Sequence, residues 1–153
     1  MKGLRVLLVN AHGTDPAYGG AERYAAELAT GIESRGGEAY VLAAFPGAST
    51  VDAGRVRVLH GSDWRESRLR RLGNHAGDVL SRPGRELADA VAWARPDVVH
   101  TSNLPGIGTG IWEAARRAGI PVVHTLHDYH LLCPRTTLRL GSTTSCHVQG
   151  SRS

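Results

Sequence analysis

At 153 residues, with 41% hydrophobic and 21% charged residues, the chain has the length and composition of one globular domain. No apolar run is long enough to cross a bilayer, and residues 4–9 are too few for the core of a secretion signal, so the cytoplasm is the expected compartment. The formal charge is +4 and 17 of the 18 basic residues are arginine, but no aromatics alternate with them as a base-stacking surface requires. Nucleic acid is therefore not an expected partner. Cys133 and Cys146 are the only cysteines, too few for a disulfide framework in a reducing compartment.

Residues 4–9 (Leu-Arg-Val-Leu-Leu-Val) form a continuous β-prone run, as expected for a strand covered on both faces. A turn-rich stretch over residues 10–20 contains Gly13, Asp15, Pro16 and the pair Gly19-Gly20. Tyr24, Leu28 and Ile32 then recur at helical spacing, with Ala25 and Ala29 on the same face, and Gly36-Gly37 ends that helix. Residues 39–43 read as a second strand and residues 56–59 as a third. Leu69, Leu72, Ala76 and Leu80 share one helix face, with Arg65, Arg68, Arg70 and Arg71 crowded at its start. Pro83-Gly84 opens another helix whose Leu87, Val91 and Ala94 face inward. A fourth strand at 97–101, a helix carrying Ile107, Ile111, Ala115 and Ala118 up to Gly119, and a fifth strand at 121–126 complete the series.

Strands alternating with helices, each strand apolar on both faces, specify a doubly wound α/β domain with a parallel sheet. Ligands of such domains collect at the carboxyl ends of the strands. Attention therefore falls on residues 10–20, 101–110 and the chain from His127 onward. The first turn, Tyr18-Gly19-Gly20-Ala21-Glu22, leads straight into a helix, and glycines there let backbone N–H groups approach an anion. A structural turn needing positive φ is the competing explanation. Neither a P-loop nor a G-x-G-x-x-G fingerprint is present. The run His124-Thr125-Leu126-His127-Asp128-Tyr129 ends a strand in a His-Asp pair, whose carboxylate either orients the ring or caps the next helix.

Together the two segments resemble family 4 glycosyltransferases. The likeness runs from residue 3 to about 140. It is carried by the Gly-Gly-Ala-Glu turn, Arg95-Pro96-Asp97-Val98-Val99-His100, and the stretch from Gly119 through Asp128 to Leu132-Cys133-Pro134-Arg135. That resemblance implies a GT-B architecture of two Rossmann-like domains with the site in the cleft between them. It implies retaining transfer from a nucleotide-sugar donor to a carbohydrate or lipid-linked acceptor, with no cofactor or metal. Residues 1–140 would be the acceptor-side domain and residues 141–153 an incomplete loop or disordered tail. The nucleotide-sugar domain is expected to lie outside these residues, so this chain alone is expected to be inactive.

Position by position, Gly19 and Gly20 match the loop beside the donor diphosphate, and His127 matches a histidine near the transferred sugar. Asp128 and Tyr129 would shape that pocket, and His12 and Asn103 fall where acceptor contacts are expected. The pattern departs from the family at Gly37-Glu38-Ala39-Tyr40, where Gly-His-Glu-Val is usual. It departs again at Ser102, where a second histidine is frequent. Arg65, Arg68, Arg70 and Arg71 beside Leu69 and Leu72 read first as a solvated helix face, with a peripheral contact at the inner membrane face as the alternative. A non-catalytic sugar-binding or partner-dependent module of the same fold is the alternative reading. His130, Cys133, Cys146 and His147 include metal-ligand types, but their spacing is not that of a four-ligand zinc site, and none is expected.

Overall fold

The computed structural model describes residues 3–46, 51–61, 68–80, 84–133, 138–140 and 144–145. In chain order these form β1 (Arg5–Val9), α1 (Gly20–Glu33), β2 (Glu38–Pro46), β3 (Val51–Ala53), β4 (Val56–Gly61), α2 (Arg68–Val79), α3 (Arg85–Ala94), β5 (Val98–Thr101), α4 (Gly110–Arg117), β6 (Val122–His124), β7 (Arg139–Leu140) and β8 (Thr144–Ser145). The main sheet runs β3-β4-β2-β1-β5-β6. All its neighbours pair in parallel except β3, which forms an antiparallel hairpin with β4. The expected α/β class and all five expected strands are present. The hairpin strand β3 was not anticipated, and β6 is shorter than the run 121–126.

Side-chain alternation along β1 explains why helices cover both faces. Val6 and Leu8 point toward Leu28, Ala29 and Ile32 of α1. Leu7 and Val9 point the other way, into a larger core with Leu87, Ala90, Val91 and Ala94 of α3 and Ile111, Ala114 and Ala115 of α4. The helix faces read from sequence are thus the ones buried. The chain leaves α1 through Gly36, whose φ of +79° accompanies N–H bonds from Gly36 and Gly37 back to Glu33 and Ile32. Gly37 has a second reason to lack a side chain: a Cβ would sit 2.7 Å from the Leu4 carbonyl oxygen.

Helix α2 is the exception to this packing. Leu69 and Leu72 are 83% and 54% exposed, and Leu80, just past its end, is 78% exposed. The helix attaches through its polar side instead. The Asp78 carboxylate accepts the Gly106 N–H at 3.0 Å, and the Asp78 carbonyl accepts the Thr109 N–H at 2.7 Å. No helix among the described residues is long and apolar enough to cross a membrane.

Strand order reverses between β2-β1 and β5-β6, which opens a crevice at the carboxyl ends of β1 and β5. The two loops that flank it are tied together. The Ala11 N–H donates to the Asn103 carbonyl at 3.0 Å, and the Asn103 N–H donates to Asn10 Oδ1 at 3.3 Å. The pair β7–β8 is a small separate antiparallel ladder, and β8 falls inside the stretch read as a loop or tail.

Candidate functional site

The first wall of the crevice is the β1–α1 turn. Gly19 is extended (φ 161°) and Gly20 begins α1, so neither takes the positive φ that a purely structural turn would need. A Cβ on Gly20 would meet nothing within 4 Å. Backbone conformation and packing therefore do not account for glycine at position 20. The exposed start of α1 presents backbone N–H groups and partial positive charge to the crevice.

Behind the turn lies a buried polar cluster. Asn10 is 1% exposed, and its Nδ2 donates to the Gly13 carbonyl at 2.7 Å and to Glu22 Oε1 at 3.3 Å. Glu22, itself buried, approaches His12 Nδ1 at 3.5 Å. His12 stacks on Tyr18 with ring centroids 4.6 Å apart and planes 3° from parallel, and Phe45 packs against both rings. His12 is thus an aromatic platform at the mouth rather than a detached loop residue. Asn103 lies across the crevice, and its side-chain Oδ1 is buried with no hydrogen-bond partner among the described residues. An acceptor in that state costs free energy unless water or a ligand meets it.

The second wall is built from the ends of β5 and β6 and the turn that follows. His127 is exposed, and its ring packs on Tyr24 of α1 at 4.9 Å between centroids. Tyr24 also meets His100 edge-on at 5.9 Å. This contact brings the helix that follows the glycine turn against the His-Asp segment, although the two lie about a hundred residues apart in the chain. Asp128 Oδ1 accepts the His130 N–H at 2.8 Å, so the carboxylate pins the turn rather than bonding the His127 ring. Tyr129 is half-exposed, and its carbonyl accepts the N–H groups of Leu132 and Cys133.

A niche of about 10 Å³ is lined by Ser102, Leu104, His124, Leu126, His127, Asp128, His130 and Leu131. It contains two of the anticipated residues, His127 and Asp128. A wider groove of about 470 Å³ between α2 and α4 shares only Leu131 with it and contains none of the anticipated residues. The niche is therefore the better candidate for chemistry.

Three histidines nearby favour the neutral form. Burial, reinforced by His124 and His127, lowers the pKa of His100, whose Nε2 lies 2.8 Å from Thr125 Oγ1. Burial also lowers that of His124, against the opposing pull of the Thr101 carbonyl and Asp128. Burial and His130 lower that of His75, whose ring stands edge-on to His130 at 5.0 Å. Cys133 is a buried free thiol. Cys146, His147 and Arg65 lie outside the described residues. So do the side chains of Arg68, Arg70 and Arg71. Among the described residues no group of three or more His, Cys, Asp or Glu is placed to hold a metal ion.

The residues missed from sequence are Asn10, Glu22, Ser102, Tyr24, His100 and His124. Asn10, Ser102, His100 and His124 carried a usable signal, as polar residues where strands end. Tyr24 and Glu22 are indistinguishable from helix-face residues until α1 is placed against the sheet.

A Rossmann-like sheet, a bare helix start at its switch point and a histidine-lined niche opposite define an α/β domain with a candidate site at the carboxyl ends of its strands. Residues 18–144 match the model of Glycosyltransferase Family 4, and the chain belongs to that family. It is also similar to an uncharacterised 42.6 kDa protein in the cps region of Klebsiella pneumoniae. The two are 37% identical over 54 residues, 35% of this chain and 14% of that protein. The matched stretch is thus a small part of that relative's length.

Proposed function

We propose that this chain is the acceptor-side half of a two-domain, GT-B glycosyltransferase that moves a sugar with retention from a nucleotide-sugar donor to a carbohydrate or lipid-linked acceptor. The observation that carries the reading is the contact of Tyr24 with His127, which faces the glycine turn and the His-Asp segment into one crevice. The Gly19-Gly20 backbone and the start of α1 receive the donor diphosphate. The bond from the sugar's anomeric carbon to the phosphate oxygen breaks, the acceptor oxygen bonds to that carbon on the same face, and its proton passes to the departing phosphate. No protein nucleophile takes part. His127 stabilises developing charge or orients the acceptor, and His12 and Asn103 contact the acceptor. Positioning and electrostatics supply the rate, with no cofactor or metal. The donor's base and ribose are held by a domain outside these residues, in the same polypeptide or in a separate subunit.

The reading places the enzyme in the cytoplasm, at the inner membrane face. The outward leucine stripe of α2, on a helix that contains Arg68, Arg70 and Arg71, supports that placement.

The test uses the longest gene product containing this domain, incubated with a panel of nucleotide sugars and candidate acceptors. The reading expects nucleotide release, a product that keeps the donor's anomeric configuration, and a turnover loss in His127→Ala larger than the loss of acceptor affinity. Sugar binding without any transfer would favour the non-catalytic module, and an inverted product would refute retention.

A further inference from the structure

We propose that the niche at the end of β6 receives a single hydroxyl group of the acceptor, which donates its hydrogen bond to Nε2 of His124. The assignment rests on the functional reading above for the identity of the ligand, but the chemistry of the niche is argued from its own atoms.

The tautomer of His124 is fixed by what surrounds its other nitrogen. Nδ1 lies 3.1 Å from the Thr101 carbonyl oxygen and 2.9 Å from Thr101 Oγ1. A carbonyl oxygen only accepts, so Nδ1 carries the hydrogen. Every proton in the cluster then has a place. Trp112 Nε1, which only donates, gives its hydrogen to Thr101 Oγ1 at 3.0 Å. The Thr101 hydroxyl accepts from Trp112 and His124 and donates its own hydrogen to the Val123 carbonyl at 3.4 Å. The opposite tautomer would set a lone pair of Nδ1 against the Thr101 carbonyl.

With Nδ1 protonated, Nε2 of the neutral ring is a lone pair, and burial keeps the ring neutral. The hydrogen bonds of His124 to the described residues all run through Nδ1, and Nε2 has no partner among them. His124 lines the niche together with Ser102, His127 and Asp128.

Size and polarity then select the ligand. About 10 Å³ is at the lower limit for one water molecule, and therefore for one hydroxyl. A phosphate or carboxylate is too large. Such an anion would also bring only acceptor oxygens to a lining that includes the neutral His124 ring and the Asp128 carboxylate. Ser102, buried and on the same wall, has a hydroxyl able to donate to the incoming oxygen while His124 accepts from it. The group that fits is a neutral O–H donor.

The experiment is imidazole ¹⁵N NMR of the 153-residue chain, with methanol as the probe and acetone, which accepts hydrogen bonds but donates none, as its control. The expected spectrum places the His124 hydrogen on Nδ1. Methanol should shift Nε2 upfield in a saturable way, while acetone at equal concentration leaves it in place. In His124→Phe the methanol response at the Ser102 amide should disappear, and in His124→Gln, which restores an acceptor, it should return. Unchanged amide shifts along β2, which pairs with neither β5 nor β6, would show that both variants fold. A hydrogen on Nε2, equal responses to methanol and acetone, or an undiminished response in His124→Phe would overturn the proposal.

In the longest gene product, His124→Phe should raise the acceptor KM by about tenfold, the worth of one ordinary hydrogen bond, with the donor KM unchanged. Absence of any transfer by the parent protein would defeat the functional reading, whereas the NMR result reports on the niche alone.

Discussion

Position 20 tolerates a side chain sterically, which makes its glycine informative. Nothing lies within 4 Å of a Cβ built there, and the residue is helical. Gly20→Ala should therefore fold normally and gain about 0.4–1 kcal/mol from the stiffer unfolded chain, read by urea denaturation. The same change should weaken nucleotide-sugar affinity in the longest gene product, because a methyl group would stand where the diphosphate approaches. Unchanged affinity with normal folding would remove the phosphate role. The sequence made this turn visible because Gly-Gly before an amphipathic helix is a local pattern. Glu22, which holds the turn from behind, was not visible, because its burial depends on Asn10 and His12 meeting it once α1 is placed against the sheet. His127 was legible as the end of a β-run. Its support by Tyr24 was not, since that contact joins residues 24 and 127 across the sheet.

At the scale of elements, periodicity located every helix named in the sequence and could not say which side of α2 faces the protein. Leu69, Leu72 and Ala76 mark a stripe that would ordinarily be buried, yet all three are exposed. The helix is held by Asp78 and by the edge-on packing of the His75 ring against His130. A hydrophobic pattern records where apolar residues lie and not what they meet, so a stripe for the core and a stripe for an outside surface read alike. The element makes a prediction. The double change Leu69→Glu and Leu72→Glu should leave stability within about 0.5 kcal/mol, as for surface substitutions. It should abolish co-sedimentation with vesicles containing anionic lipid. A large loss of stability would mean that the stripe packs against the protein, and undiminished vesicle binding would detach α2 from the membrane. β3 was missed for a different reason. Three residues are too few to show a period, and only pairing with β4 makes them a strand.

For the whole molecule, the parallel sheet and its two faces followed from strand runs separated by amphipathic helices, and the crevice followed from the sheet's switch point. The histidines add a pH dependence. His75, His100 and His124 all have pKa values lowered from the ordinary 6.5, chiefly by burial. Below that value the unfolded chain takes up protons that the folded chain resists. Their contribution to stability is thus complete above about pH 6.5 and is lost as the pH falls toward the lowered values. Thermal melts should therefore show stability level from pH 8 to about 7 and declining toward pH 5.5, with a shallower decline in His100→Gln. A stability that is flat or rising over that fall in pH would contradict the neutral assignment.

The central claim is that these residues form one wall of a transferase cleft and that the donor's base and ribose are held elsewhere. The most direct measurement is nucleotide release by the purified 153-residue chain, shown to be folded by circular dichroism, across a panel of nucleotide sugars. The account predicts a folded protein with no turnover, because a single wall cannot hold donor and acceptor together, and that approximation can supply about 7–11 kcal/mol of a barrier. Activity should appear only when the domain carrying the donor site is present. Turnover by the chain alone, abolished neither by His127→Ala nor by removal of trace contaminants, would contradict it and place the active site elsewhere.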